Sequence, residues 1–205
     1  GVLLGLATSC KYPAAALAPV FLVAHILAGR QLFDHRLWFI AGAALLSFMM
    51  SSPYVLLDYS LSSKHVLEQV QHVGDGRGDA EIPSALFHIW VSLRYSSGWI
   101  GLIATVACLV LLLRHPSPVS WVLLAALLCY YAVTSWGQLT FVRYALPLIA
   151  LQSILLGMGW GKLAVRWRYV LWALLLVEPV YGSMRLAHIQ GQKDIRIQEI
   201  GRAHV

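Results

Sequence analysis

The sequence predicts an all-α, polytopic transmembrane helix bundle of about six spans, with further helices lying on its external surface. Three observations predict it. The 205 residues are 59% hydrophobic and only 12% charged, with a mean hydropathy of +0.70, whereas a soluble domain is about half apolar and about a quarter charged. The apolar residues fall in long blocks that a soluble core cannot absorb, so lipid is the natural solvent. The net charge of +6 comes from basic residues lying between those blocks. Membrane topology explains that pattern better than nucleic acid does, and no nucleic-acid partner is expected.

About 20 apolar residues cross a bilayer. On that measure the first span runs from Val2 to Gly29, long enough to begin outside the hydrocarbon, and the second from Leu37 to Leu57. The third covers Gly98 to Leu113, the fourth Val119 to Thr134, the fifth Tyr144 to Trp160 and the last Tyr169 to Tyr181. Several of these are short and need tilt or flanking aromatics to complete the crossing. Glu178-Pro179 interrupts the last; Glu178 either faces the bundle interior or marks a segment that does not span.

Short basic loops set the orientation. Arg30 and Arg36 join spans one and two, Arg114 joins three and four, and Lys162, Arg166 and Arg168 join five and six. Those loops are expected in the cytoplasm. The segment from Asp58 to Ser97 and the short one from Trp136 to Arg143 then lie outside. In the long segment Ser62 to Val73 has apolar residues at helical spacing, with Val66, Leu67, Val70 and Val73 on one side. Gly74 to Asp79 reads as a flexible break. Ala85 to Val91 reads as a second helix whose aromatics suit an interface.

Both ends carry expectations. Gly1 opens directly into an apolar run, as though the sequence begins inside or just before a helix. Residues 199–205, Glu-Ile-Gly-Arg-Ala-His-Val, are what GAG ATC GGA AGA GCA CAC GTC encodes, a common sequencing-adapter read-through. The tail is therefore expected to be an artefact, with residues 1–198 forming one partial membrane domain.

Charges in or beside spans are costly and informative. Counting back about 20 residues from Gly29 at 1.5 Å per residue reaches Lys11, near the external face, and Arg143 precedes span five on that same face. Two cations at one depth suit the grip of a lipid phosphate, Arg as a planar fork and Lys as a point charge. On spacing alone, snorkelling to the interface is the favoured explanation of both. Asp58 is a candidate acid or base, although helix-end carboxylates are usually just solvated. His65, His72 and His88 share the external segment without a compact ligand motif, and no metal is expected. Cys10, Cys108 and Cys129 have no metal-ligand spacing and read as small buried residues. There is no P-loop and no nucleophile elbow.

Four motifs carry a resemblance. Gly5-Leu6-Ala7-Thr8-Ser9-Cys10-Lys11-Tyr12-Pro13 resembles the "GLA…TKY…P" helix of bacterial family 39-type glycosyltransferases of the GT-C class. Ser52-Pro53-Tyr54-Val55-Leu56-Leu57-Asp58-Tyr59 resembles their "SPY-LLD-F" exit into an external loop, and Phe141-Val142-Arg143-Tyr144-Ala145-Leu146-Pro147 their "RYLLP" helix start. His88 to Trp99, with Ser92-Leu93 and Gly98, is similar to the "L-SL…G" approach to the next span. Order and spacing agree from about Gly1 to Leu156.

The resemblance implies a GT-C bundle like those of protein mannosyltransferase-like, ArnT-like and RgtA/B/C/D-like enzymes. Such enzymes are multi-pass proteins, here expected in a bacterial inner membrane with the active site facing outward. They move a sugar from a polyprenyl (or dolichyl) phosphate to a glycan, lipid or protein acceptor, and no cofactor is implied. Lys11 and Arg143 would stabilise the departing lipid phosphate. Tyr12, Asp58, His88 and Tyr144 would stand around the external-face site. The family's key Asp belongs to a first external loop expected ahead of Gly1, so Asp58 is not its replacement and the catalytic residue is not assigned. The fragment by itself is expected to be inactive. The alternatives are a transporter or flippase-like binding protein for a lipid-linked sugar, which needs no acidic first loop, and a structural membrane subunit.

Overall fold

The computed structural model describes residues 1–75, 82–136, 142–161 and 165–191, with side chains left aside at 72–75. Among these residues the chain is helical and contains no strand. Four helical stretches are long and apolar enough to cross a membrane: Ser84–Arg114, Pro118–Ser135, Val142–Trp160 and Val165–Gln190. The break expected at Gly74 to Asp79 falls largely outside the described residues, as do Lys162 and the tail at 199–205.

The first apolar run is not one helix. Helix α1 (Val2–Cys10) stops where Lys11 becomes extended, at φ −157° and ψ 111°. A 3-10 segment (Tyr12–Leu17) follows, and only then α2 (Ala18–Leu27). Proline is the cause. Pro13 has no N–H to give the carbonyl of Ser9, and its ring clashes with that carbonyl in a continuing α-helix. The second run divides similarly. Helix α3 (His35–Ser51) ends before Ser52-Pro53, and the short α4 (Tyr54–Leu57) carries the remaining apolar residues. The candidate spans therefore lie in the C-terminal two-thirds of the chain, and α1 to α3 are shorter pieces.

Helix α5 (Tyr59–Asp75) contains the predicted surface helix and begins three residues earlier. Helix α6 (Ser84–Phe87) passes through a π-helical turn (His88–Leu93) into α7 (Arg94–Arg114), so the predicted interfacial helix joins the third span without a loop, the one break in α7 being at Gly98. Helix α8 (Pro118–Ser135) starts on Ser117, whose hydroxyl accepts from Ser120 N at 3.1 Å. A 3-10 turn (Val142–Ala145) leads into α9 (Leu146–Trp160). Helix α10 (Val165–Gln190) runs through Pro179 without ending.

Helix α1 packs on α3, α2 and the 3-10 segment pack on α8, and α7 packs on both α9 and α10. The α1–α3 crossing depends on small residues. A Cβ added at Gly5 would collide with the Ser47 hydroxyl and the Ala44 carbonyl. Ser47 Oγ lies 3.0 Å from Val2 O, and Ser9 and Ser52 share a hydroxyl hydrogen bond of 2.7 Å. In lipid, close backbone approach and interhelical hydrogen bonds replace the hydrophobic drive between helices.

Two apolar clusters fill the larger bundle. One joins Cys108, Leu112, Leu123, Leu155, Trp160 and Leu175 from α7 to α10. The other gathers Tyr130, Ala145 and Leu148 at the opposite end of α8 and α9. Between α7 and α9 sits a polar contact. Gln152, 2% exposed, donates through Nε2 to Ser97 Oγ (3.0 Å) and Thr105 Oγ1 (2.8 Å). Both hydroxyls give their own protons to backbone, Ser97 to Leu93 O and Thr105 to Gly101 O. They can therefore only accept from Gln152, which fixes the orientation of its amide. Outside, large apolar side chains such as Leu3, Phe39 and Met50 are more than 70% exposed, as helix faces solvated by lipid would be.

Candidate functional site

Lys11 stands at the joint between α1 and the 3-10 segment, where the extended backbone turns its side chain off the helix axis. Its Nζ lies 4.3 Å from the centroid of the Tyr144 ring. Arg143 approaches the same ring, with Cζ 5.5 Å from the centroid. The two cations singled out in the sequence, 132 residues apart, therefore converge on one aromatic side chain. Tyr144 is half-buried, while Lys11 and Arg143 are exposed.

The ring is held from below. Ala145 is fully buried beside Tyr130 and Leu148, which pins the 3-10 turn to α8 and α9. Leu17 and Leu127 pack on the same cluster, so the turn that carries Tyr144 and the segment that follows Lys11 rest on common ground. Each cation gains about 0.5–1 kcal/mol from an exposed aromatic face. Both side chains can donate charge-assisted hydrogen bonds to an anion that reaches this ring.

Tyr12 extends the site towards α4, its hydroxyl 3.4 Å from that of Tyr54. It also forms one wall of an open, mostly apolar groove of about 400 Å³, completed by Phe48, Val55, Tyr59, Val66 and Leu67. The apolar side of α5 thus faces a groove that Tyr12, the residue after Lys11, helps to line.

The other sequence candidates take different places. Asp58 Oδ1 accepts from Leu61 N at 3.2 Å and Ser60 Oγ at 3.4 Å, capping the start of α5. His88 is 0% exposed; Nδ1 meets Ser92 Oγ at 3.1 Å across the π-helical turn, so it lines no open face. His65 lies 3.6 Å from Glu68 on the surface of α5. Among the described residues no three His, Cys, Asp or Glu side chains gather closely enough to hold a metal ion. Cys108 is buried, Cys129 half-buried and Cys10 exposed.

Glu178 faces the bundle: its Oε2 accepts from Trp99 N at 2.7 Å. Arg94, not singled out in the sequence beyond its charge, lies with Cζ 4.4 Å from the Trp99 ring, 5.1 Å from Tyr95 and 6.0 Å from Trp90. The sequence signal for it was its spacing from Arg114, with no charged residue between them.

Comparisons with protein-family models, with curated proteins and with solved structures give no match to this chain.

Proposed function

We propose that this chain is part of a multi-pass membrane glycosyltransferase that moves a sugar from a polyprenyl (dolichyl-type) phosphate to an acceptor at the extracytoplasmic face, in a bacterial inner membrane. The observation that supports this reading is the convergence of Lys11 and Arg143 on Tyr144, with an apolar groove lined by the adjacent Tyr12. Phosphate at the cations and isoprenoid chain in the groove is the arrangement that a lipid-linked donor requires.

In the proposed reaction the acceptor hydroxyl oxygen forms a bond to the anomeric carbon as the bond to the lipid phosphate oxygen breaks. The hydroxyl proton passes to a carboxylate, which is not assigned among these residues. Negative charge grows on the leaving phosphate, and Lys11 and Arg143 stabilise it. Tyr144 holds both cations in place through its ring.

The test is transfer of radiolabelled sugar from a panel of polyprenyl-phosphate sugars, using the complete polypeptide encoded by the source gene in membranes. Lys11→Ala and Arg143→Ala are each expected to reduce transfer by about a hundredfold at unchanged membrane insertion. Full activity in both variants would remove these residues from the donor site. Donor binding that depends on both cations, without transfer to any acceptor tested, would instead identify a carrier for the lipid-linked sugar.

A further inference from the structure

Helix α5 presents one stripe to the apolar groove: Tyr59, Ser62, Ser63, Val66, Leu67 and Val70. Their intervals of three and four residues place them on a single helix face. Phe48, Val55 and Tyr12 form the opposing side. From Tyr59 to Val70 the stripe extends about 16 Å at 1.5 Å per residue, so the groove is long and narrow. The stripe is not packed away: Val66, Leu67 and Val70 are 46%, 58% and 48% exposed.

The helix is fastened at its first turn. Asp58, at φ −129° and ψ 63°, forms a non-helical joint between α4 and α5. Its carboxylate accepts from Leu61 N, and Ser62 Oγ donates to Tyr54 O at 3.2 Å. From Ser63 onward, among the described residues, α5 makes no hydrogen bond to another element: Ser63 bonds to Ser60 O and His65 meets Glu68 within the helix. Its packing partner is α4, the element from which it grows. A helix with so few buried apolar contacts belongs to the low-stability end of a fold, where moving walls and lids are found. An amphipathic helix is stabilised by covering its stripe, so swinging towards Phe48 and Val55 is favourable once apolar material lies between them.

We infer that α5 is a hinged wall that closes on the isoprenoid chain of the lipid-phosphate donor, so that this stripe reads the chain while Lys11 and Arg143 read the phosphate. The inference rests on the glycosyltransferase reading of those two cations. Three features argue for the occupant. Tyr12, which lines the groove, is bonded directly to Lys11, so an amphiphile with an anionic head and an apolar tail meets both. The lining offers a few hydroxyls and no charged group, and a glycan or peptide there would leave its polar groups unpaired. A groove one stripe wide takes one chain, as a polyprenyl phosphate has, rather than the two of a phospholipid.

Spin labels at Glu68→Cys, on the face of α5 away from the groove, and at Met50→Cys, exposed on α3, report the distance across the groove. The native cysteines are replaced by Ala and the chain is held in phosphatidylcholine nanodiscs. Farnesyl phosphate is expected to shorten and narrow the distance distribution. Dimethylallyl phosphate, with the same head and a single isoprene unit, is expected to bind and leave it unchanged. Leu67→Asp is expected to weaken farnesyl phosphate about tenfold, the scale of one buried aliphatic side chain, and dimethylallyl phosphate not at all. Farnesyl phosphate that binds without shortening the distance, or that binds Leu67→Asp as tightly as the wild type, overturns the inference and leaves the cation reading standing. A distance already short before any probe is added overturns it in favour of a bilayer acyl chain. Binding of neither phosphate overturns both readings.

Discussion

Glu178 of α10 accepts the main-chain N–H of Trp99 at 2.7 Å, directly after Gly98, where α7 breaks with φ +72° and ψ 176°. A carboxylate on one helix thus caps the restart of another. Pro179, which withholds an N–H from Leu175 O, sits next to it, so α7 is broken and α10 lacks one backbone hydrogen bond where the two meet.

Gly98 occupies a backbone region nearly closed to other residues, and a Cβ there would fall 2.5 Å from Glu178 Oε2. Gly98→Ala is therefore expected to lower stability by roughly 1–3 kcal/mol, read as a reduced thermal midpoint in detergent. Glu178→Gln keeps an oxygen acceptor and should lose less than Glu178→Ala, which leaves Trp99 N–H uncapped. No loss in Glu178→Ala would show that the cap contributes nothing, and equal losses in both variants would show that it needs the charge.

The Gln152 contacts should be worth little individually, because interhelical hydrogen bonds in membranes average only about 0.6 kcal/mol. A double-mutant cycle of Gln152→Leu and Thr105→Val is expected to give a coupling of about that size. A value near zero would mean that the amide does not bind the hydroxyl in solution.

The α1–α3 crossing makes a geometric prediction. With the native cysteines replaced by Ala, the pair Ser9→Cys and Ser52→Cys should form a disulfide under mild oxidation, since the two hydroxyls are 2.7 Å apart. Adding Gly5→Leu should abolish the cross-link, because its side chain would strike the backbone of Ala44 and Phe48. Persistence of the cross-link would mean a different crossing.

Asp34 caps α3, accepting from Arg36 N at 3.0 Å, and that hydrogen bond holds its carboxyl below the usual value, with His35 and Arg36 adding attraction. A carboxylate with a lowered folded-state pKa stabilises the fold above its unfolded pKa, and that contribution is lost as pH falls through the lower, folded value. Asp34→Asn should flatten this acid-side loss while leaving neutral-pH helicity nearly unchanged, as followed by circular dichroism across an acid titration.

Much of the architecture was legible because apolar block length and proline position are local properties. The spans around α7, α8, α9 and α10 announce themselves by composition, and the surface helix α5 by the spacing of Val66, Leu67 and Val70. The break at Lys11 was written in Pro13, yet block length alone joined α1 to α2. The pairing of Lys11 with Tyr144 was not legible, since the two lie far apart in the chain and meet only through packing on α8. Counting residues from the span ends predicts one face for Lys11 and Arg143, but only the fold supplies the ring that both approach. Asp58 and His88 were equally visible as residue types. Their roles, a helix cap and a buried contact to Ser92, depend on neighbours that the sequence does not rank.

The joint at Lys11 has a thermodynamic consequence. On one side of it lies the α1–α3 pair, on the other the bundle built on α8, and Lys11 reaches from the first to an aromatic ring carried by the second. An anion held between Lys11 and Arg143 would fasten the two sub-assemblies by mass action, each degree of occupancy adding to the stability of their docking. Occupancy and assembly would then be a single linked equilibrium: loosening the α1–α3 pair would weaken the ligand, and saturating the ligand would raise the temperature at which that pair comes away.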